Sequence, residues 1–75
     1  MRRIKEYLNP SNLKMIYEKK QLNIINYDEI VILTDTKIIL KKDSKIIIIK
    51  GTNLTLLKLL DDEILINGVI ESINL

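Results

Sequence analysis

Residues 45–60 run Lys45-Ile46-Ile47-Ile48-Ile49-Lys50-Gly51-Thr52-Asn53-Leu54-Thr55-Leu56-Leu57-Lys58-Leu59-Leu60, and this run sets the architecture. β-Branched side chains lose rotamer freedom in a helix but pack well on a pleated surface, so four consecutive isoleucines read as strand. A strand with one wet face shows apolar–polar alternation. The unbroken run 46–49 and the leucine-rich run 54–60 therefore predict cover on both faces, from a second sheet layer, a helix or another subunit. Two such isoleucines left in water would forgo roughly 3–6 kcal/mol of burial energy. Lys45 and Lys50 close the tetrad as gatekeepers against cross-β pairing. Gly51 admits two readings: it opens a three-residue hairpin loop, or it is a bulge at which one long strand bends.

Short apolar segments flank this stretch at residues 22–26, 30–33, 38–40, 64–66 and 69–75. Turn residues separate them: Tyr27-Asp28, Asp35-Thr36, Lys42-Asp43-Ser44, Asp61-Asp62 and Asn67-Gly68. Links this short join neighbouring antiparallel strands, because a parallel crossover needs a dozen or more residues. The pattern predicts an all-β fold, a small antiparallel β-meander of about seven to eight short strands forming a two-layer or partly open sandwich. Asn67-Gly68 is the strongest local turn signal, since a type I′ turn needs positive φ at both central residues. The segments Ile48-Ile49-Lys50-Gly51 and Leu65-Ile66-Asn67-Gly68 echo each other 17 residues apart.

The N-terminal part divides at residue 12. Residues 1–12 form a lead in which Ile4 and Leu8 sit at helical spacing, a short N-terminal helix or frayed segment that Pro10 stops. Residues 13–75 form the β domain. Within it, Leu13, Ile16 and Tyr17 fit a helix while Leu13, Met15 and Tyr17 fit a strand, and periodicity does not choose between them.

Composition narrows the chemistry. The 75 residues include 16 Ile and 12 Leu but no Cys and no His, which removes disulfides, thiolate nucleophiles, the usual general base and the commonest metal ligands. Asp61-Asp62-Glu63 is one tight turn and does not wrap a cation with six or more oxygens. With Gly51 and Gly68 as the two glycines, neither a dinucleotide fingerprint nor a P-loop can be written. No catalytic residue, cofactor or metal is expected. The longest apolar run falls far short of a membrane span, and no apolar region follows Arg2, Arg3 and Lys5 as a secretory signal requires, so the expected compartment is cytoplasmic.

Charge is graded along the chain. Residues 1–20 hold six Lys/Arg against two Glu, residues 21–60 six Lys against four acids, and residues 61–75 four acids and no base. Such a gradient orients head-to-tail contacts or attracts a basic partner to the C-terminal edge. Lys37, Lys41, Lys42, Lys45 and Lys50 lie near adjacent strands as a candidate basic face, which makes a small nucleic-acid-binding β domain the alternative. Sheet-based readers stack bases on aromatic side chains, however, and none of Tyr7, Tyr17 and Tyr27 is on that hairpin.

Four ordered pieces carry a family resemblance: Leu22-Asn23-Ile24-Ile25-Asn26-Tyr27-Asp28-Glu29-Ile30, then Lys37-Ile38-Ile39-Leu40, then Ile47-Ile48-Ile49-Lys50-Gly51-Thr52-Asn53-Leu54-Thr55-Leu56, then Glu63-Ile64-Leu65-Ile66-Asn67-Gly68-Val69-Ile70-Glu71-Ser72-Ile73. Together they resemble the YabP/YqfC family of sporulation proteins over about residues 13–75, with Asn26-Tyr27 favouring the YqfC branch. The resemblance implies a strand hairpin over residues 13–26, although Glu18-Lys19-Lys20 lacks the expected turn glycine. It implies structural roles for Asn26, Tyr27, Gly51, Leu54 and Gly68. It further implies a non-enzymatic protein of the mother cell, acting in spore coat or cortex formation through a YqfD-like membrane protein or a homo-oligomer. Peripheral association with the forespore outer membrane follows from the same resemblance.

Overall fold

The computed structural model describes residues 12–74. Among them are six strands: β1 (Lys14–Glu18), β2 (Gln21–Ile25), β3 (Glu29–Leu33), β4 (Lys37–Lys42), β5 (Lys45–Leu59) and β6 (Glu63–Asn74). All are antiparallel to their neighbours, in the order β1-β2-β6-β5-β4-β3. The lead expected to form a short helix lies outside the described residues.

The strand count is lower than the seven to eight expected because two anticipated turns are inside strands. Gly51-Thr52-Asn53 is a bulged bend within β5, so the second reading of Gly51 holds. Asn67-Gly68, the strongest turn signal, lies in the middle of β6. Its glycine is required by close approach: a Cβ on Gly68 would lie 2.9 Å from both the Asn53 carbonyl oxygen and Leu54 Cδ2, at a φ of +148° that L side chains rarely adopt.

The connectivity also departs from a simple meander. β2 and β3 are joined by Asn26–Asp28 yet are not neighbours in the sheet. The sheet folds over on itself, which brings these ends together. A straight 15-residue strand would span about 50 Å, whereas the longest dimension of the molecule is 29 Å. Register shifts at Lys50/Gly51, Thr52/Thr55 and Leu56/Lys58, with Asn53 at φ 54°, bend β5. One layer is β1, β2 and the first half of β6 with the second half of β5. The other is β3, β4 and the first half of β5 with the end of β6.

The core lies between these layers. Leu22 and Ile24 of β2, with Ile64 and Ile66 of β6, meet Ile38 and Leu40 of β4, with Ile47 and Ile49 of β5. The two layers are built alike, which explains the 17-residue echo. Ile24 and Leu22 pair with Ile64 and Ile66, and the Lys20 carbonyl then accepts the Gly68 N–H at 2.8 Å. Correspondingly, Leu40 and Ile38 pair with Ile47 and Ile49, and the Thr36 carbonyl accepts the Gly51 N–H at 3.0 Å.

The ambiguous stretch is strand over Lys14–Glu18, and its hairpin closes without glycine. Glu18 pairs with Gln21 across Lys19 (φ 53°) and Lys20 (φ 61°), and Lys42 pairs with Lys45 across Asp43 (φ 52°) and Ser44 (φ 68°). Both are two-residue loops with positive φ at each central position, the geometry whose twist matches the flanking strands.

The chain supplies cover for one face of the isoleucine tetrad. Ile47 and Ile49 are fully buried, Ile48 is half-buried and Ile46 is 46% exposed. In residues 54–60, Leu54 alone of the leucines is buried, while Leu59 and Leu60 are about half exposed.

Candidate functional site

The residues singled out by sequence form two groups at different bends. Gly51, Leu54 and Gly68 meet where the long β5–β6 hairpin folds. Gly51 would meet the Val69 carbonyl oxygen and Leu54 Cδ2 if it carried a Cβ, so the two glycines vacate the space that the Leu54 side chain occupies. The Leu54 N–H donates to the Asp35 carbonyl at 2.9 Å, which fastens the β3–β4 turn to the same bend. Tyr17, a latch that sequence reasoning missed, reaches the other strand there. Its hydroxyl donates to the Gly68 carbonyl (3.1 Å) and accepts from the Ile70 N–H (3.2 Å). A tyrosine at the end of a strand carries no sequence signal for that reach across β2.

Asn26 and Tyr27 belong to the second group, on the link between layers. Asn26 takes a φ of 78°, tolerated by Asn better than by most residues. Its N–H donates to the Asp62 carbonyl at 2.6 Å and its side-chain amide to the Asn12 carbonyl at 3.3 Å. Tyr27 is 6% exposed, and its hydroxyl donates to the Leu60 carbonyl at 3.0 Å. Burial raises its pKa above the ordinary value near 10, and the carboxylates of Asp62 and Asp61 push it the same way. Asp28, next in the chain, accepts the Asp43 N–H at 2.9 Å and faces Lys42 Nζ at 3.5 Å. The backbone hydrogen bond first, then Lys42, holds its carboxyl below the usual range.

Beside this link opens a cleft of about 770 Å³. Its apolar lining is Tyr27, Ile30, Leu59 and Leu60, and its acidic lining is Asp28, Glu29, Asp61 and Asp62. The sequence displays Asp61-Asp62 as one turn and Tyr27-Asp28 as another, with Glu29 opening β3, more than 30 positions away. Only the fold-over joins them. Among the described residues no three such groups converge to hold a metal ion.

The candidate basic face resolves into two sides. Lys37 pairs directly with Lys50, and Lys41 lies between Glu29 and Ile46, all on the outer side of β3–β4–β5. Between these rows runs an apolar row, Ile32 beside Ile39 beside Ile48, with Ile46 next to it. Lys42 and Lys45 follow the opposite alternation, and the Lys42 side chain is largely covered as it turns to Asp28. The described residues of this outer face include no aromatic side chain.

Exposed apolar strips on a small folded sheet, with tyrosine hydroxyls and an asparagine amide engaged by backbone groups, define a compact all-β protein of antiparallel strands. The chain belongs to the YabP family, whose model matches residues 9–75. Membership is consistent with a sporulation-related protein, and the family is not known as an enzyme family. No curated protein and no solved structure matches the chain. No helix among the described residues is long and apolar enough to cross a membrane.

Proposed function

We propose that this chain is a non-enzymatic assembly protein of sporulation, acting in the mother cell in spore coat or cortex formation by binding other proteins. The observation that carries this reading is the outer row in which Ile32 and Ile46 are exposed and Ile39 and Ile48 half-buried, together with the exposed leucines of β5. A domain of this size has little burial to spare, and leaving such a row in water forgoes several kcal/mol, of order 1.5–3 per fully buried Ile. A contiguous apolar band rimmed by polar residues marks an interaction surface. A YqfD-like membrane protein or further copies of the chain are the partners this reading takes, and the compartment it takes is the mother-cell cytoplasm, peripherally at the forespore outer membrane. The same row favours protein over nucleic acid, which would call for stacking aromatics beside the lysines.

The test is made in sporulating cells. A fluorescent fusion is expected to gather on the forespore surface from the mother-cell side, and loss of the gene to reduce resistant spores through coat or cortex defects. A fusion spread evenly through both compartments, with normal spores on deletion, would overturn the reading.

A further inference from the structure

We propose that two copies of this chain bind each other through unlike surfaces, the basic apolar outer face of β3–β4–β5 on one copy seating against the acidic cleft of the next. The proposal rests on the assembly reading and adds the surfaces and their pairing.

Each surface has what the other lacks. The outer face presents Ile32, Ile39, Ile48 and Ile46 between the directly opposed Lys37 and Lys50 at one end and Lys41, paired with Glu29, at the other, three lysines against one acid in these rows. The cleft presents Leu59 (52% exposed), Leu60 (50% exposed) and Ile30 beside Asp28, Glu29, Asp61 and Asp62. Lys37 and Lys50 are directly opposed across the strand pair, a like-charge arrangement that costs stability within one copy. Two carboxylates brought against them relieve it. Asp61 and Asp62 are adjacent and exposed in one turn, and among the described residues no ion pair reaches either. One contact of this kind relieves the lysine opposition on one copy and gives the unpaired aspartates of the other their counter-charges.

Unlike surfaces are also dictated by sign. A two-fold contact of the outer face with itself would gather Lys37, Lys41 and Lys50 of both copies against Glu29 alone in these rows, and one of the cleft with itself would gather Asp28, Asp61 and Asp62 of both copies. Like-charge juxtapositions of that kind disfavour such pairings. The complementary contact avoids both and buries the Ile row against Leu59 and Leu60, removing the exposed apolar surface from water.

The experiment mixes two variants of the full chain. Asp61→Lys/Asp62→Lys reverses the cleft, and Lys37→Glu/Lys50→Glu reverses the face. All four residues are exposed, and circular dichroism of each variant is expected to match the native sheet spectrum. Light scattering of nuclease-treated protein is expected to show the native chain above the monomer mass of 8.8 kDa. Each variant alone is expected to associate at least tenfold more weakly, and an equimolar mixture to recover association. The milder pair Asp61→Asn/Asp62→Asn, which keeps side-chain volume, is expected to weaken association as well. Native-like association by either charge-reversed variant, or a mixture that stays monomeric, would overturn the contact. A native chain that is monomeric in this assay yet gathers on the forespore would overturn the contact while leaving the proposed function standing.

Discussion

Gly51 and Gly68 face the same methyl group, Leu54 Cδ2, from two different strands. A Cβ built on either glycine would come within 2.8 or 2.9 Å of it. The bend of the β5–β6 hairpin is thus a three-residue lock, in which two absent side chains make room for one buried leucine. Gly51→Ala is expected to cost about 1–3 kcal/mol in urea unfolding, because the Val69 carbonyl it strikes is backbone and yields little. Leu54→Ala is expected to cost about 2–5 kcal/mol through the cavity it leaves. Gly68→Ala combined with Leu54→Ala should cost less than the sum of the two, by at least about 0.5 kcal/mol, since one clash is removed.

The tetrad on β5 separates the folding core from the proposed interface. Ile47 points into the core, and Ile47→Lys buries a charge with no partner, which is expected to abolish cooperative unfolding. Ile48 is in the outer row, half-buried, so Ile48→Lys is expected to keep the sheet spectrum and lose self-association. Circular dichroism and sedimentation read the two effects independently.

Tyr27 links the layers through its hydroxyl. Tyr27→Phe is expected to cost about 1 kcal/mol from the lost hydrogen bond and the stranded Leu60 carbonyl. The phenol's folded pKa is raised above its ordinary value near 10, so its stabilising contribution is complete below pH 10 and fades as pH rises through the folded value. Alkaline denaturation of the native chain should therefore be steeper above about pH 10 than that of Tyr27→Phe.

Asp28 carries the opposite dependence. Its carboxyl is held below the ordinary range near 4, so its contribution is present above that pH and is lost as pH falls through the lowered folded value. Acid titration of stability should lose part of its slope below about pH 4 in Asp28→Asn.

The glycine-free loops are open to improvement. Ser44 has a φ of 68°, where an L side chain is strained and glycine is not. Ser44→Gly is expected to raise stability by about 1 kcal/mol in thermal or urea unfolding, since the change completes an Asp-Gly loop of the favoured hairpin type.

Much of this fold is written in local pattern. The extended character of β2 to β6, the alternation placing Leu22, Ile24, Ile64 and Ile66 on one face, and the charged turns are legible because strand periodicity is local. The bend at Gly51 was one of two readings open in the sequence, whereas the role of Gly68 was not legible, because Asn67-Gly68 has the composition of a turn while serving as a clearance for Leu54 on another strand. Close approach between residues 14 positions apart leaves the same glycine in the sequence as a positive φ in a hairpin does. The cleft was illegible for a related reason: its acids come from the start of β3 with the turn before it and from the β5–β6 turn, which only the folded-over sheet brings together. Lys42 shows the limit of charge reading, since its ammonium is tied to Asp28 rather than displayed with Lys37 and Lys50.

The outer row Ile32–Ile39–Ile48 is proposed as a surface through which copies of the chain associate. The most direct measurement is the solution mass of nuclease-treated protein at about 0.15 M salt, native chain beside Ile48→Lys. The account predicts a native mass above 8.8 kDa and an Ile48→Lys mass at that value with the sheet intact. A native chain at 8.8 kDa, or a folded Ile48→Lys that associates as the native chain does, would contradict it.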